Sequence, residues 1–272
     1  MVHAELDLTN ELAERAVDLC AAAVQAGAHA PGRHEAIFSE LDVILDQADA
    51  DLVRLILCNG RYRAMRQAVH QLRSAYEYER EYLLAQDIIE ADSASPASAF
   101  RSADWYEQAT DFEMTALALY RLKRMLFVGA GPFPTSPFSY MRADPGISVT
   151  CLDRSDSAGD TAAAVSKIFG FEDLRFIASD VLEFTGFAEF DCVIIGLVVG
   201  ISDAEKSRIA GHLRQWVPPK TLLAFRTAVG SGAVIYPAAD LSAFDDTGYR
   251  VLPDPPHKSF TLAIVNSARR PS

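Results

Sequence analysis

The chain has 272 residues, a formal net charge of -12, half of its residues apolar and 23% charged, which is enough to bury a substantial core in one large domain or two ordinary ones. No apolar run approaches the roughly 20 residues that a bilayer span needs, "MVHAELDLTNELAER" lacks the basic start and apolar stretch of a secretory signal, and the scattered Lys and Arg form no basic stripe for a phosphate backbone. A cytoplasmic protein with neither membrane nor nucleic-acid partners is expected.

From about Leu8 to Leu122 the pattern is helical. "ELAERAVDLCAAAVQA" is rich in strong helix formers, and the Gly and Pro of "AGAHAPGR" break it. "HEAIFSELDVILDQA" repeats apolar residues at three and four; a longer helical stretch runs from "LVRLILC" to "QDIIEA", with Asn59-Gly60 as a candidate interruption. "DSASPASA" reads as a linker, and "EQATDFEMTALALYR" as a last helix. After residue 123 the pattern changes to short apolar runs, "RMLFVG", "ISVTCLD", "LRFIAS", "DCVIIGLVV" and "TLLAFR", each bounded by Gly, Pro or Asp and separated by helix-sized spacers. That is the signature of buried parallel strands. "GYRVLPDP" and "FTLAIVN" suggest an antiparallel pair completing the sheet. The expected fold class is α/β: a Rossmann-like, mostly parallel sheet over residues 123–272, preceded by an all-helical N-terminal domain over residues 1–122.

Cys20, Cys58, Cys151 and Cys192 are far apart and read as buried reduced thiols rather than a disulfide framework. His29 and His34 flank a turn-like stretch, so no metal site is expected.

In open α/β sheets ligands lie beyond the carboxyl ends of the strands. Gly129 and Gly131 follow the first strand and let a ligand approach the backbone. Asp153 ends the second strand, where a carboxylate can accept from ribose hydroxyls, and Asp180 follows the third, where it can accept from an adenine amino group. No full G-x-G-x-x-G is present, and Pro132 lacks the N–H a pyrophosphate would want. A phosphate-free nucleoside such as S-adenosylmethionine is therefore expected, rather than NAD or ATP.

"FVGAGPFPTSP", "FDCVIIGLVVGISDAEKSRIAGHL" and "TLLAFRTAVGSGAVIYP" resemble, in order, three motifs of the nicotianamine synthase family and its bacterial relatives of staphylopine and pseudopaline type. The likeness covers roughly residues 60 to 267. It implies transfer of the 3-amino-3-carboxypropyl (aminobutanoyl) group of S-adenosylmethionine to an amine, with methylthioadenosine released. By the same likeness Gly129, Gly131, Pro132, Asp153 and Asp180 are cofactor-binding positions.

In "AYEYEREY", Glu77 and Glu81 share a helical face with Leu84 and Ile88, so both carboxylates can look into the site. The family's glutamate pattern matches there after a one-residue slip, with the spacing of the pair kept. Its Tyr and Glu positions match Tyr106 and Glu113, with Trp105 where Asn is usual. Glu77 or Glu81 is the expected base, the alternative for either being a solvated acidic face paired with Arg73 or Arg80, and Tyr106 is expected to orient the amine. Arg226 suits a substrate or methionyl carboxylate, or else a structural salt bridge, and Tyr236 and His257 are further substrate-side candidates. One transfer to an amino acid, histidine first, would leave an intermediate for an opine dehydrogenase to complete as a metallophore. Successive transfers to nicotianamine, an ordinary methyltransferase, and a non-catalytic binding protein are the alternatives. An apolar face on the N-terminal helices could support a homodimer.

Overall fold

The structure is a computed structural model and describes residues 2–27, 31–96, 103–253 and 259–265. Seven strands form one sheet in the order β3-β2-β1-β4-β5-β7-β6: β1 (Arg124–Val128), β2 (Ser148–Asp153), β3 (Arg175–Ala178), β4 (Cys192–Ile195), β5 (Leu222–Ala228), β6 (Tyr249–Val251) and β7 (Phe260–Val265). The first five are mutually parallel. β7 inserts antiparallel beside β5, and β6 pairs antiparallel with β7. The chain winds outward from β1 to β3, then returns to place β4 on the other side of β1. Between β1 and β4 lies the crevice where such sheets bind ligands.

The apolar strand runs follow from burial on both faces. Leu126, Val128, Val193 and Ile195 face α8 (Asp203–Trp216) through Ile209 and Leu213. Met125, Phe127, Cys192 and Ile194 face Leu117 of α5 (Ala103–Leu117) and Tyr140 of α6 (Thr135–Ala143). α5 thus packs with the sheet, although it lies on the N-terminal side of residue 122. Cys20, Cys151 and Cys192 are buried free thiols, but Cys58, the last residue of the helix Ala50–Cys58, is exposed, which corrects that expectation. His34 is buried on the helix Pro31–Gln47 rather than in a turn.

The N-terminal helices are α1 (Val2–Ala26), α2 (Pro31–Gln47), α3 (Ala50–Cys58) and α4 (Gly60–Ala91); α7 (Asp156–Ile168) lies in the sheet half. The break expected at Asn59-Gly60 is present. Asn59 leaves helical geometry, and its Oδ1 accepts from Arg61 N (2.9 Å) and Tyr62 N (3.3 Å), capping α4 while ending α3.

α4 joins the two halves. Near its start, the Tyr62 hydroxyl donates to Val234 O at 2.8 Å, in the turn after β5. Near its end, Leu84, Ala85 and Ile88 pack with Phe133, Phe138 and Val165. Apolar side chains of α1 to α4 form one core with Leu197, Ala228, Val234 and Phe260 of the sheet half.

His70 sits in the first of these junctions, 5% exposed, with Nε2 lacking a hydrogen-bond partner. Burial, aided by Arg66, pushes its pKa down to about 4. In the unfolded chain the value is near 6.5, so between those values the unfolded state binds the extra proton. This contribution to stability is complete above pH 6.5 and is lost as pH falls toward 4. Chemical denaturation across that window should show a fall attributable to His70 of about 3 kcal/mol, absent from His70→Leu; equal pH slopes for the two proteins would contradict it.

Candidate active site

The turn after β1 is built from conformations that favour glycine. Gly129 and Gly131 have φ of +80° and +65°, a region L side chains rarely occupy. A Cβ on Gly129 would lie 2.2 Å from Val199 Cγ2, and one on Gly131 would lie 2.6 Å from Glu81 Oε2. The turn is tied to β2: Gly129 N donates to Leu152 O at 2.8 Å, and Gly131 N to Asp153 Oδ2 at 2.9 Å. Asp153 Oδ1 accepts from Ser155 N at 3.1 Å. A carboxylate has about four acceptor sites, so Asp153 retains capacity for ligand hydroxyls while holding the turn. Pro132 has no N–H and that of Gly131 is used, so neither residue donates to an anion.

A cleft of about 1120 Å³ opens over this turn, lined from both halves of the chain. Its floor includes Gly129, Gly131, Asp153 and Asp180. Asp180 is fixed by Leu182 N, which donates to Oδ1 at 2.8 Å. Val199 comes from the loop after β4, which a buried lysine holds: Lys206 Nζ donates to Leu197 O (3.2 Å) and Val199 O (3.0 Å). Burial pushes that ammonium down to about 8.

The opposite wall is α4. Arg73, Glu77 and Glu81 are spaced by four residues and share one helical face, and all three line the cleft. Glu77 Oε1 accepts from Arg73 Nε at 2.7 Å and from the Tyr236 hydroxyl. Arg73 Nη1 donates to Asp42 Oδ1 (2.8 Å) and Oδ2 (3.0 Å) on α2. The guanidinium lies 5.3 to 5.7 Å from the ring centroids of Phe38, Tyr76 and Tyr236, where cation–π attraction adds to the ion pairs. Burial opposes its charge, but Tyr236, Glu77 and Asp42 outweigh that and hold its pKa above the usual arginine value. Burial, with Glu77 beside it, raises the Tyr236 phenol in turn.

The second buried guanidinium is Arg226, at the far side of the cleft. Glu113 of α5 takes it fork to fork, from Nε (2.7 Å) and Nη2 (2.8 Å), while Nη1 donates to Ser136 Oγ (2.9 Å) and Nη2 also to the Tyr140 hydroxyl (3.2 Å). Glu113 is 0% exposed. Of the two roles the sequence left to Arg226, the structure favours the salt bridge: its carboxylate partner is the chain's own Glu113.

The structure therefore brings Glu77, Glu81, Tyr236, Gly129, Gly131, Asp153 and Asp180 to one cleft. Pro132 stands in the turn between the lining residues Gly131 and Phe133. Tyr106 lies on α5, but its side chain, like all of His257, falls outside the described residues. Sequence reasoning missed Asp42 and Lys206, and knew Arg73 only as a possible surface partner of Glu77. A signal was available: Asp42 follows Phe38 by four and precedes Leu45 by three, and Arg73 follows Val69 by four and precedes Tyr76 by three. A charge at such a position on an apolar helical face must find a partner. Among the described residues no group of three or more His, Cys, Asp or Glu could hold a metal ion, and no helix is long and apolar enough to cross a membrane.

A family model described as "Nicotianamine synthase protein" matches residues 6–267. Probable nicotianamine synthase 2 of Hordeum vulgare is 29% identical over 139 residues, 49% of this chain and 41% of the relative. The nicotianamine synthase of Solanum lycopersicum is 27% identical over 136 residues, 48% of this chain and 42% of the relative. These matches thus span less than half the length of the curated relatives. Among solved structures, MtNAS in complex with MTA and tNA superposes with a TM-score of 0.71 at 20% identity, covering 96% of this chain and 97% of that one. A Glu-to-Gln variant of MtNAS in complex with S-adenosylmethionine gives 0.69 at 19% identity, covering 92% and 97%. At these identities the likeness establishes the fold.

Removing the charge on Glu113 leaves Arg226 buried without its counter-ion, which costs about 3–5 kcal/mol. Glu113→Gln should lower the urea midpoint accordingly. Arg61→Ala, which removes an exposed 2.9 Å pair with Asp18, should cost about 1 kcal/mol or less.

Proposed function

The chain belongs to the nicotianamine synthase family, and from that premise we propose that it transfers the 3-amino-3-carboxypropyl group of S-adenosylmethionine to the amine of an amino acid. The observation that carries this reading is the position of Glu81. It reaches from the helical half to within 2.6 Å of where a Gly131 Cβ would stand, putting a carboxylate against the turn at the switch point of the sheet. A methyl donor site needs an adenosine pocket; a carboxylate brought to that pocket from a second structural layer also suits an ammonium that must lose its proton.

The cleft fits S-adenosylmethionine as co-substrate. The glycine turn admits close approach, Asp153 has acceptor capacity for ribose hydroxyls, Asp180 Oδ2 has no partner among the described residues, and neither Gly131 nor Pro132 donates to a pyrophosphate. In the transfer, the amine nitrogen forms a bond to Cγ of the methionyl chain. The Cγ–S bond breaks with its electrons going to sulfur, the neutral thioether methylthioadenosine leaves, and the amine proton passes to a carboxylate. Glu81 is the better base of the two candidates. Glu77 Oε1 is already engaged by a guanidinium and a phenol, whereas Glu81 is the carboxylate that stands against the glycine turn. Tyr106 orients the amine, and Tyr236 fixes Glu77. Positioning supplies much of the rate, since the sulfonium is already an activated leaving group.

Histidine is the first acceptor to test, with an opine dehydrogenase as the enzyme class that would consume the product and a soluble compartment as its setting. A methyltransferase is the second reading. It is favoured only by fold: SibL, an S-adenosylmethionine-dependent methyltransferase in its apo form, superposes with a TM-score of 0.51 at 15% identity, covering 97% of this chain and 98% of that one.

Incubation with S-adenosylmethionine and a panel of amino acids, followed by mass spectrometry, should yield methylthioadenosine and an acceptor heavier by one aminobutanoyl unit. Two or more added units would indicate successive transfers, and S-adenosylhomocysteine would overturn the proposal. Glu81→Gln should lower kcat by about 10²–10⁴-fold, with cofactor affinity measured by calorimetry nearly unchanged.

A further inference from the structure

The two buried guanidinium groups of the cleft differ in one respect. Arg226 is filled on every nitrogen: Nε and Nη2 by Glu113, Nη1 by Ser136. Arg73 is filled on two. Its Nε is taken by Glu77 and Tyr236 and its Nη1 by both oxygens of Asp42, while Nη2 has no hydrogen-bond partner among the described residues. Arg73 is 8% exposed and lines the cleft. A guanidinium so enclosed normally satisfies its donors, and the nitrogen left over carries two N–H groups in a plane suited to a carboxylate oxygen.

The group cannot swing away to find water. Two carboxylates hold it from different helices, and the Phe38, Tyr76 and Tyr236 rings enclose it. Its open edge is therefore fixed in advance, which is the arrangement that costs a ligand least on binding. Arg73 lies two helical turns before Glu81 on the same face, about 12 Å along the axis, and Glu77 occupies the turn between. A ligand held at one end by Arg73 thus extends toward the carboxylate proposed to receive the proton. Asp42 and Glu77 do not bar an anion here, because the reaction brings its own positive charges: a sulfonium and the ammonium groups of both substrates.

Resting on the transferase reading above, we infer that the Nη2 edge of Arg73 is the carboxylate-recognition point of the cleft. Both substrates of the proposed reaction carry that group, the acceptor amino acid and the methionyl chain of S-adenosylmethionine. Arg73 takes the place that the sequence offered to Arg226. It is a binding residue whose loss weakens affinity for one carboxylate.

The test compares carboxylated and decarboxylated partners on wild type and Arg73→Lys, which keeps a cation for Asp42 and Glu77 but loses the planar edge. On the acceptor side the pair is the amino acid that supports turnover and its decarboxylated amine, histidine and histamine first, read as kcat/KM. On the cofactor side it is S-adenosylmethionine and decarboxylated S-adenosylmethionine, read as Kd by calorimetry. A charged hydrogen bond is worth about ten- to a hundredfold, so wild type should prefer the carboxylated member of one pair by that factor. In Arg73→Lys the preference should shrink toward unity through KM or Kd. The pair that collapses identifies whose carboxylate is bound. Preferences unchanged in both pairs would overturn the inference. A crystal structure of wild type with S-adenosylmethionine and the acceptor decides independently of how the variant folds: a carboxylate oxygen within hydrogen-bond distance of Nη2 supports it, and water alone there overturns it. Absence of methylthioadenosine from wild type would instead refute the transferase reading, and the calorimetric pair would still report on Arg73.

Discussion

Asp153 ties the end of β2 to the turn that follows β1, and the rest of the cleft takes its shape from that tie. With one oxygen on Gly131 N and the other on Ser155 N, the carboxylate fixes a turn whose φ angles favour glycine. The same bond uses an amide that would otherwise face a ligand. Followed by Pro132, it leaves a turn poor in donors, the opposite of a phosphate cradle. Electrostatics and steric access thus point the same way at this position: close approach is allowed, and anionic phosphate is not solicited. Val199 and Glu81 then close on the space the absent Cβ atoms leave.

The sheet was legible because its strands are covered on both faces. Such strands read as plain apolar runs, and "RMLFVG" or "DCVIIGLVV" could hardly be anything else when followed by Gly and a helix-sized spacer. Asn59 was legible for a different reason: its short amide side chain is suited to capping, and a Gly beside it marks a break. That Glu77 and Glu81 share a face followed from helical periodicity; that this face meets the cleft rested on the family's glutamate pattern as well. Their chemical difference followed from neither. Glu77 is engaged by Arg73 on its own helix and by Tyr236, which lies 159 residues away, and no local pattern encodes a pairing at that distance. Arg226 shows the same limit. The apolar run before it was readable, but Arg226 lies inside β5 rather than after it, and which carboxylate it meets depends on how α5 lies against the sheet.

Charged residues on buried faces give the helical half directional contacts. Apolar contacts alone tolerate sliding, because they are non-directional. Asp42, Arg73, Glu77 and Tyr236 supply directional bonds linking α2, α4 and the segment after β5, and a shift of α4 along its axis would leave several of them unmade in a poorly solvated site. The cost of burying these groups is therefore also the source of register between the layer that carries Glu81 and the layer that carries Gly131.

The length of α4 has a mechanical consequence. Its 32 residues make a rod of about 48 Å, anchored near one end by Tyr62 and His70 against the turn after β5, and near the other by Leu84 and Ile88 against Phe133, Phe138 and Val165. The residues that face the cleft sit between those anchors on a beam supported at both ends. Such a beam has no free tip to flap. Widening the gap between α4 and the sheet would mean lifting one support and pivoting about the other, so the width of the cleft is set by the contacts at Tyr62 and at Phe133.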